Sequence, residues 1–314
     1  LGDVYKRQDH DTARFDQTDL QLKLKLKKQT LIIPSSKTFT LKKDQSVILP
    51  FNLSMEGALL KYSTTQLLAK VEEKNAVHYF FFAPEGLRTE YSFDKSTLSS
   101  GKEFYTPKPG LKSTFSITVK NGKTLKITTL TRQQALNTTK VNNHILITEA
   151  TVLPEKEQCT LLSLGKTQIS YALYTANKGW KEETIEVQPV DVKADWKKVG
   201  TRRMTVKIDQ PDVPQVNDYF LRVNYVADVA MAFIGGYLVL DHYYYGIPWT
   251  IGLRRFKNEL KNEYLSFYFR PLRKDAPFIG DLPVEAIPDF SQKDADCLVR
   301  SVDVIPEYKA IVNI

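Results

Sequence analysis

From Tyr219 to Phe256 the chain reads YFLRVNYVADVAMAFIGGYLVLDHYYYGIPWTIGLRRF. Side chains alternate in character through Phe220, Arg222 and Asn224, and again from Val229 to Phe233, which is the period of a strand with two unlike faces. The alternation stops at Gly235-Gly236 and resumes from Tyr237 to Leu240. Two such runs joined by two glycines predict a tight hairpin, because the favoured hairpin turns need positive φ and glycine adopts it without steric cost. A loop dense in aromatics follows, with His242, Tyr243, Tyr244, Tyr245 and Trp249. A chain with this segment must build sheets.

The remainder agrees. Leu20 to Lys28 alternates with period two, as does Thr38 to Leu41 leading into Ser46 to Leu53. Leu59 to Val71 and Val77 to Ala83 are apolar, β-branched or aromatic, with a turn at Glu73-Lys74-Asn75 between them. Asn121-Gly122-Lys123 between Ser113–Val119 and Thr124–Thr131 predicts a second hairpin. His144 to Leu153, Gln158 to Leu164, Gln168 to Thr175 and Glu182 to Val187 are further strand candidates. Helix signals are confined to single turns at Arg132–Thr138 and Arg255–Asn262. Many short strands separated by turn residues predict β-sandwiches rather than strand–helix units. At 314 residues the chain accommodates two domains. Pro189 and the polar run Asp191–Lys198 place the boundary: 1–19 as a tail and connector, 20–189 as a β-sandwich, and 190–314 as a second β domain. The long loop from Pro271 to Pro288 carries Phe278, Ile279, Leu282 and Val284 and is expected to pack against something.

A hydrophobic content of 42% with 11% aromatics fills real cores and excludes wholesale disorder. The formal charge of +8 does not by itself point to nucleic acid. The lysines are spread along alternating strands, as in LQLKLKLKK from Leu20 to Lys28, where they mark a wet face, and no nucleic-acid partner is expected. No apolar run is long enough for a membrane span. Cys159 and Cys297 form no CxxC pair and are read as buried free thiols, with one disulfide as the alternative in an oxidising compartment. The histidines, His10, His78, His144 and His242, lack metal-site spacing. Asp9-His10-Asp11 is read as a solvated tail, and no metal or cofactor is expected. Leu1 to Gln8, LGDVYKRQ, is similar to a translated sequencing-adaptor tail, and the chain is read as the C-terminal remnant of a longer protein.

Asp228-Val229-Ala230, the Gly235-Gly236 hairpin and the run from Tyr244 through Leu253 occur in an order that resembles the galactose-binding-like jelly roll of bacterial β-galactosidases of glycoside hydrolase family 35. In the first half, LPFNL (Leu49–Leu53), LKYSTTQ (Leu60–Gln66), YFFFAPEG (Tyr79–Gly86) and TRQQALN (Thr131–Asn137) resemble the β domain that follows the catalytic barrel in such proteins. The resemblance implies an all-β chain, a β-sandwich domain followed by a galactose-binding-like jelly roll. It also implies a parent that cleaves terminal β-galactosides by double displacement at barrel glutamates that these 314 residues do not contain.

A retaining glycosidase needs two carboxyl groups about 5 to 5.5 Å apart. Asn262-Glu263-Tyr264 matches the triplet around the family's acid/base in letters only, since no apolar barrel strand precedes it. No nucleophile elbow or phosphate loop is present. The chain alone is therefore read as non-catalytic. Sugar recognition combines aromatic faces with planar polar groups. Asp241, His242, Tyr243, Tyr244, Tyr245, Trp249, Arg254 and Arg255 supply both, and three readings of them stay open: packing of the jelly-roll end, docking onto the N-terminal catalytic barrel of the same polypeptide, or contact with galactose-containing glycans. Docking predicts apolar surface at Phe278–Val284 and Tyr243–Trp249. The rival to an accessory enzyme region is an autonomous carbohydrate-binding or surface adhesion module. A periplasmic or extracellular parent fits the resemblance.

Overall fold

The computed structural model describes residues 15–27, 30–176 and 178–314. The adaptor-like Leu1–Gln8 and the Asp9-His10-Asp11 triplet lie outside the described residues. The chain is all-β, and it divides into two compact units. One holds the described residues of Leu1–Glu149 with Ser170–Glu183, and the other holds Ala150–Ile169 with Thr184–Asn313.

In the first unit a five-stranded sheet runs in the order Leu98–Ser100, Thr114–Val119, Thr124–Leu130, Ala76–Phe82 and Gln66–Glu72. The Asn121-Gly122 hairpin forms as the sequence predicts, with Thr118 opposite Thr124 and Gly122 at φ +87°. The central pair, Ala76–Phe82 with Thr124–Leu130, is parallel. A strand buried on both faces reads as a continuous apolar run, and AVHYFFF is such a strand. Val77, Tyr79 and Phe81 point into one core with Leu60, Tyr91 and Phe93 of a four-stranded sheet, while Phe80 enters another with Ile145, Ile147 and Tyr174.

The run Leu59–Val71, read as one apolar segment, is two strands in two sheets: Ala58–Ser63 and Gln66–Glu72. The break falls at Thr64-Thr65, where side chains compete for the backbone. The Ser63 hydroxyl donates to the Glu90 carbonyl at 2.9 Å, and Thr64 Oγ1 donates to the Arg88 carbonyl at 2.6 Å and accepts from the Glu90 N–H at 2.7 Å. These side-chain bonds tie the break to the backbone of the segment Arg88–Glu90, in place of a continuing ladder. His144–Leu153 also splits, into His144–Thr148 and Thr151–Pro154, which belong to different sheets.

The predicted helical turn at Arg132 is a five-residue helix, Arg132–Leu136. Thr131 Oγ1 accepts from the Gln134 N–H at 3.1 Å and the Gln134 side chain accepts from the Thr131 N–H at 3.0 Å, a complete capping box. Thr131→Ala should cost about 1 kcal/mol, the usual loss of an N-cap, read as a lower urea midpoint with an unchanged slope.

The second unit is a jelly-roll sandwich of two five-stranded antiparallel sheets. One runs Thr151–Pro154, Gln158–Leu164, Leu298–Asn313, Val216–Val226 and Trp249–Gly252. The other runs Ala194–Gly200, Arg203–Ile208, Leu265–Arg270, Val229–Ile234 and Tyr237–Tyr243. Leu221, Val223 and Tyr225 face Ala230, Ala232, Phe267 and Phe269 across the core, each set spaced by two as the pleat requires. Gly235 and Gly236, both at positive φ, close the predicted hairpin with Ile234 opposite Tyr237. The turn read at Arg255–Asn262 is two 3-10 turns, Arg254–Phe256 and Glu259–Lys261. Both cysteines are free thiols; Cys159 is buried, whereas Cys297 is only half-buried. No helix among the described residues is long and apolar enough to cross a membrane.

Candidate functional site

Each candidate side chain is positioned by where the chain crosses from one sheet to the other. His242 lies on the edge strand Tyr237–Tyr243, opposite Ala230, and Trp249 opens the edge strand Trp249–Gly252 of the facing sheet, opposite Val223. The intervening loop, Tyr244 to Pro248, closes the open side of the sandwich. Its turn requires Gly246, which sits at φ +94°, where a Cβ would approach the Ala286 Cβ to 2.6 Å. The Tyr244 hydroxyl donates to the Ala286 carbonyl at 2.8 Å.

The crossing brings His242, Tyr244, Tyr245 and Trp249 into one cluster with Tyr225 and Phe267. His242 stacks on Trp249 with ring centres 5.3 Å apart and planes 10° apart, and Phe267 meets the indole edge-on at 5.8 Å. Tyr225, which the sequence does not single out, joins from the strand Val216–Val226: its hydroxyl donates to the His242 carbonyl at 3.2 Å and lies 2.7 Å from His242 Nδ1. Burial lowers the His242 pKa, opposed by the neighbouring Asp241. Burial also raises the Tyr225 hydroxyl, helped by Tyr244. At ordinary pH both groups are thus held neutral.

Burial divides the set. Trp249 is only 6% exposed and Tyr244 is equally enclosed, whereas Tyr243 and Tyr245 are 70% and 51% exposed. Asp241 is exposed beside them. The arginines lie apart from the ring cluster. Arg254 donates from Nη1 to Asn217 Oδ1 at 2.7 Å, and its backbone N–H reaches Asp218 Oδ1 at 2.7 Å. Arg255 lies over the Phe256 ring at 4.7 Å. The long loop is not the apolar surface that docking predicts: Leu282 and Ala286 are buried in the jelly-roll core and Phe278 and Ile279 pack against it. A loop with both ends held by the pairing of Leu272–Arg273 with Ala295–Asp296 has a core within reach. Of Phe278, Ile279, Leu282 and Val284, only Val284 stands out into solvent.

Glu263 is exposed on the connection into Leu265–Arg270, its N–H bonded to the Glu259 carbonyl at 3.1 Å, so it does not sit at the end of a barrel strand. Among the described residues no group of His, Cys, Asp or Glu side chains is arranged to hold a metal.

These features define a class, a two-unit all-β chain whose aromatic loop closes a jelly roll. The comparisons narrow it over the first part. Residues 4–152 match the family model described as β-galactosidase, domain 2. The matched range contains all four first-half segments that carried the resemblance and begins within the stretch set aside as tail. It supports a β-galactosidase-like non-catalytic domain there. A search of curated proteins finds no match to the chain.

Proposed function

We propose that the chain is a non-catalytic accessory region of a family 35-like β-galactosidase, working beside a catalytic barrel that removes terminal β-galactosides. The observation that carries this reading is the match of residues 4–152 to β-galactosidase domain 2. The jelly roll of the second unit is the natural companion of such a domain under the resemblance at Asp228–Leu253. The exposed edge formed by Tyr237, Tyr243, Tyr245 and Ile247 is the surface through which we expect the barrel to dock; apolar patches of this kind mark interaction sites.

The purified chain should release no chromophore from a chromogenic β-galactoside. Turnover that Glu263→Gln abolishes would overturn the assignment. Co-expressed with the catalytic domain of its gene, the chain should co-purify with it and melt at a higher temperature, because a partner that binds only the folded state stabilises it. A chain that stays a monomer beside that domain, with no change in melting, would favour the autonomous binding or adhesion module.

A further inference from the structure

One end of the second unit carries a groove that the accessory reading leaves unused. A cavity of about 510 Å³ opens between the ends of the strands Ala194–Gly200 and Arg203–Ile208 and the 3-10 turn Glu259–Lys261. This lies within the roughly 300–1,000 Å³ of small-ligand sites. A second cavity of about 180 Å³ shares Gln210 and Lys257 with it and continues the groove to Arg254 and Lys309. The floor includes the buried side chains of Ile208 and Leu260, and the walls of the larger cavity bring together four lysines, Lys193, Lys207, Lys257 and Lys261, with two carboxylates, Asp195 and Asp209.

The charge there is only partly neutralised within the fold: four lysines against Asp195 and Asp209 leave the lining of the larger cavity with an excess of two positive charges, and Asp195 stands opposite Lys207 in the strand register. Lys193 meets Asp191 at 3.6 Å and Lys257 meets Asp212 at 3.2 Å, both pairs in solvent. Among the described residues Lys207, Lys261 and Lys309 make no ion pair within 4 Å, although Asp195 lies opposite Lys207 on the neighbouring strand. Asp218, which lines the smaller cavity, has one carboxylate oxygen turned to the backbone, where it accepts from the N–H groups of Tyr219, Leu253 and Arg254. Converging cations in a concave surface attract and orient an anion. One aromatic lines the groove, Tyr219, and it is buried with its hydroxyl donated to the Pro211 carbonyl at 2.8 Å. No ring face is offered to a stacked base, which single-stranded nucleic acid would require.

We propose that this groove binds an anionic saccharide, a galactan segment bearing sulfate or carboxylate groups, and so holds a charged polysaccharide near the catalytic domain. The saccharide class rests on the β-galactosidase accessory reading; the negative charge of the ligand rests on the excess of lysine and arginine over aspartate along the groove. Lys207 and Lys261 engage the anionic groups directly, while Lys257, shared by the two cavities, links two positions along the sugar chain.

Calorimetric titration of the full chain tests this with four probes: a sulfated galactan oligosaccharide, an oligogalacturonate, a neutral galacto-oligosaccharide, and single-stranded DNA of matched charge. At least one acidic saccharide should bind, with affinity falling as salt rises. The neutral sugar and the DNA should bind at least about tenfold more weakly, a difference of about 1.4 kcal/mol. Comparing the two acidic probes tells sulfate from carboxylate. Lys207→Gln with Lys261→Gln should lose about tenfold or more, and Lys207→Arg with Lys261→Arg should keep binding. Lys74→Gln with Lys140→Gln, an equal loss of charge on the first unit, should change nothing. Equal binding of the neutral sugar, DNA binding as tight as the acidic sugars, failure of both acidic probes, or indifference to the Lys207/Lys261 glutamines would each overturn the proposal. Co-purification with the catalytic domain is read separately, so loss of the groove ligand and loss of the accessory role are distinguishable.

Discussion

Replacing Trp249 by alanine should destabilise the chain by about 3–5 kcal/mol, the range for emptying a buried aromatic site. The indole is enclosed by contributions from both sheets: His242 covers a face, Phe267 meets it edge-on, and the strand partner Val223 lies opposite. Removing it leaves a cavity at the seam where the chain crosses between sheets, and the neighbours that frame it are held by ladders and cannot collapse freely. Trp249→Phe should recover much of the loss. Denaturant melts of the two variants check this, and a Trp249→Ala loss below about 1 kcal/mol would contradict the burial and return the ring to the surface. Tyr243→Ala provides the contrast, since an exposed side chain should change stability by about 0.5 kcal/mol or less.

The second large effect is a loss of stability in mild acid. His78 is 2% exposed, with Nδ1 2.6 Å from the Tyr174 hydroxyl, Nε2 2.7 Å from Thr128 Oγ1, and its ring stacked on Phe80. Burial pulls its pKa from the ordinary 6.5 down to about 4, against the attraction of Glu73, whose carboxylate lies 3.6 Å away and is itself bonded by Lys126 at 2.7 Å. Between those two values the unfolded chain takes up a proton that the folded chain refuses. The contribution of neutral His78 is therefore complete above pH 6.5 and lost as pH falls toward 4. At about 1.4 kcal/mol per pH unit the gap is worth about 3 kcal/mol. The carboxylates act in the same direction at lower pH. Burial pushes Glu73 up, but bonds from Lys126 and Tyr174 outweigh it, and at Glu90 the bonds from Tyr62, Ser35 and Ser36 do the same. Both end below their ordinary value, so their stabilisation is present above about 4.5 and fails as pH falls further. Urea melts from pH 7.5 to 4 should show the decline, and His78→Gln should flatten its upper part. A wild-type curve level from pH 7 to 4.5 would contradict the buried neutral imidazole.

What could be read from the sequence was what neighbouring residues decide among themselves. Asn121-Gly122 and Gly235-Gly236 fix their own turns, and Thr131 with Gln134 caps its own helix. The parallel pairing of Ala76–Phe82 with Thr124–Leu130 was not readable, since alternation gives a strand its faces but not its partner. The break at Thr64-Thr65 was hidden for a related reason, because its stabilising bonds run to Arg88 and Glu90, well away in sequence. The aromatic density after Tyr237 marked the seam of the jelly roll, yet the partition into buried Trp249 and Tyr244 and exposed Tyr243 and Tyr245 depends on Ala286 and Phe267. The groove lysines left no local signal. They come from four separate points of the chain, and each alone looks like the wet face of a strand or turn.

The strand Leu298–Asn313 lies in the middle of its sheet, paired with Gln158–Leu164 on one side and Val216–Val226 on the other. Both neighbours precede it in the chain, one by well over a hundred residues. During synthesis they leave the ribosome with their inner edges open, and nothing else in the sheet fills that place until the strand arrives. Bare strand edges of this kind invite pairing with other chains, and closures over such sequence distances are slow. The nascent second unit is thus expected to keep two strand edges open until Leu298–Asn313 has emerged. Interrupting translation near Leu298 should yield aggregates of the second unit rather than a soluble, partly folded form.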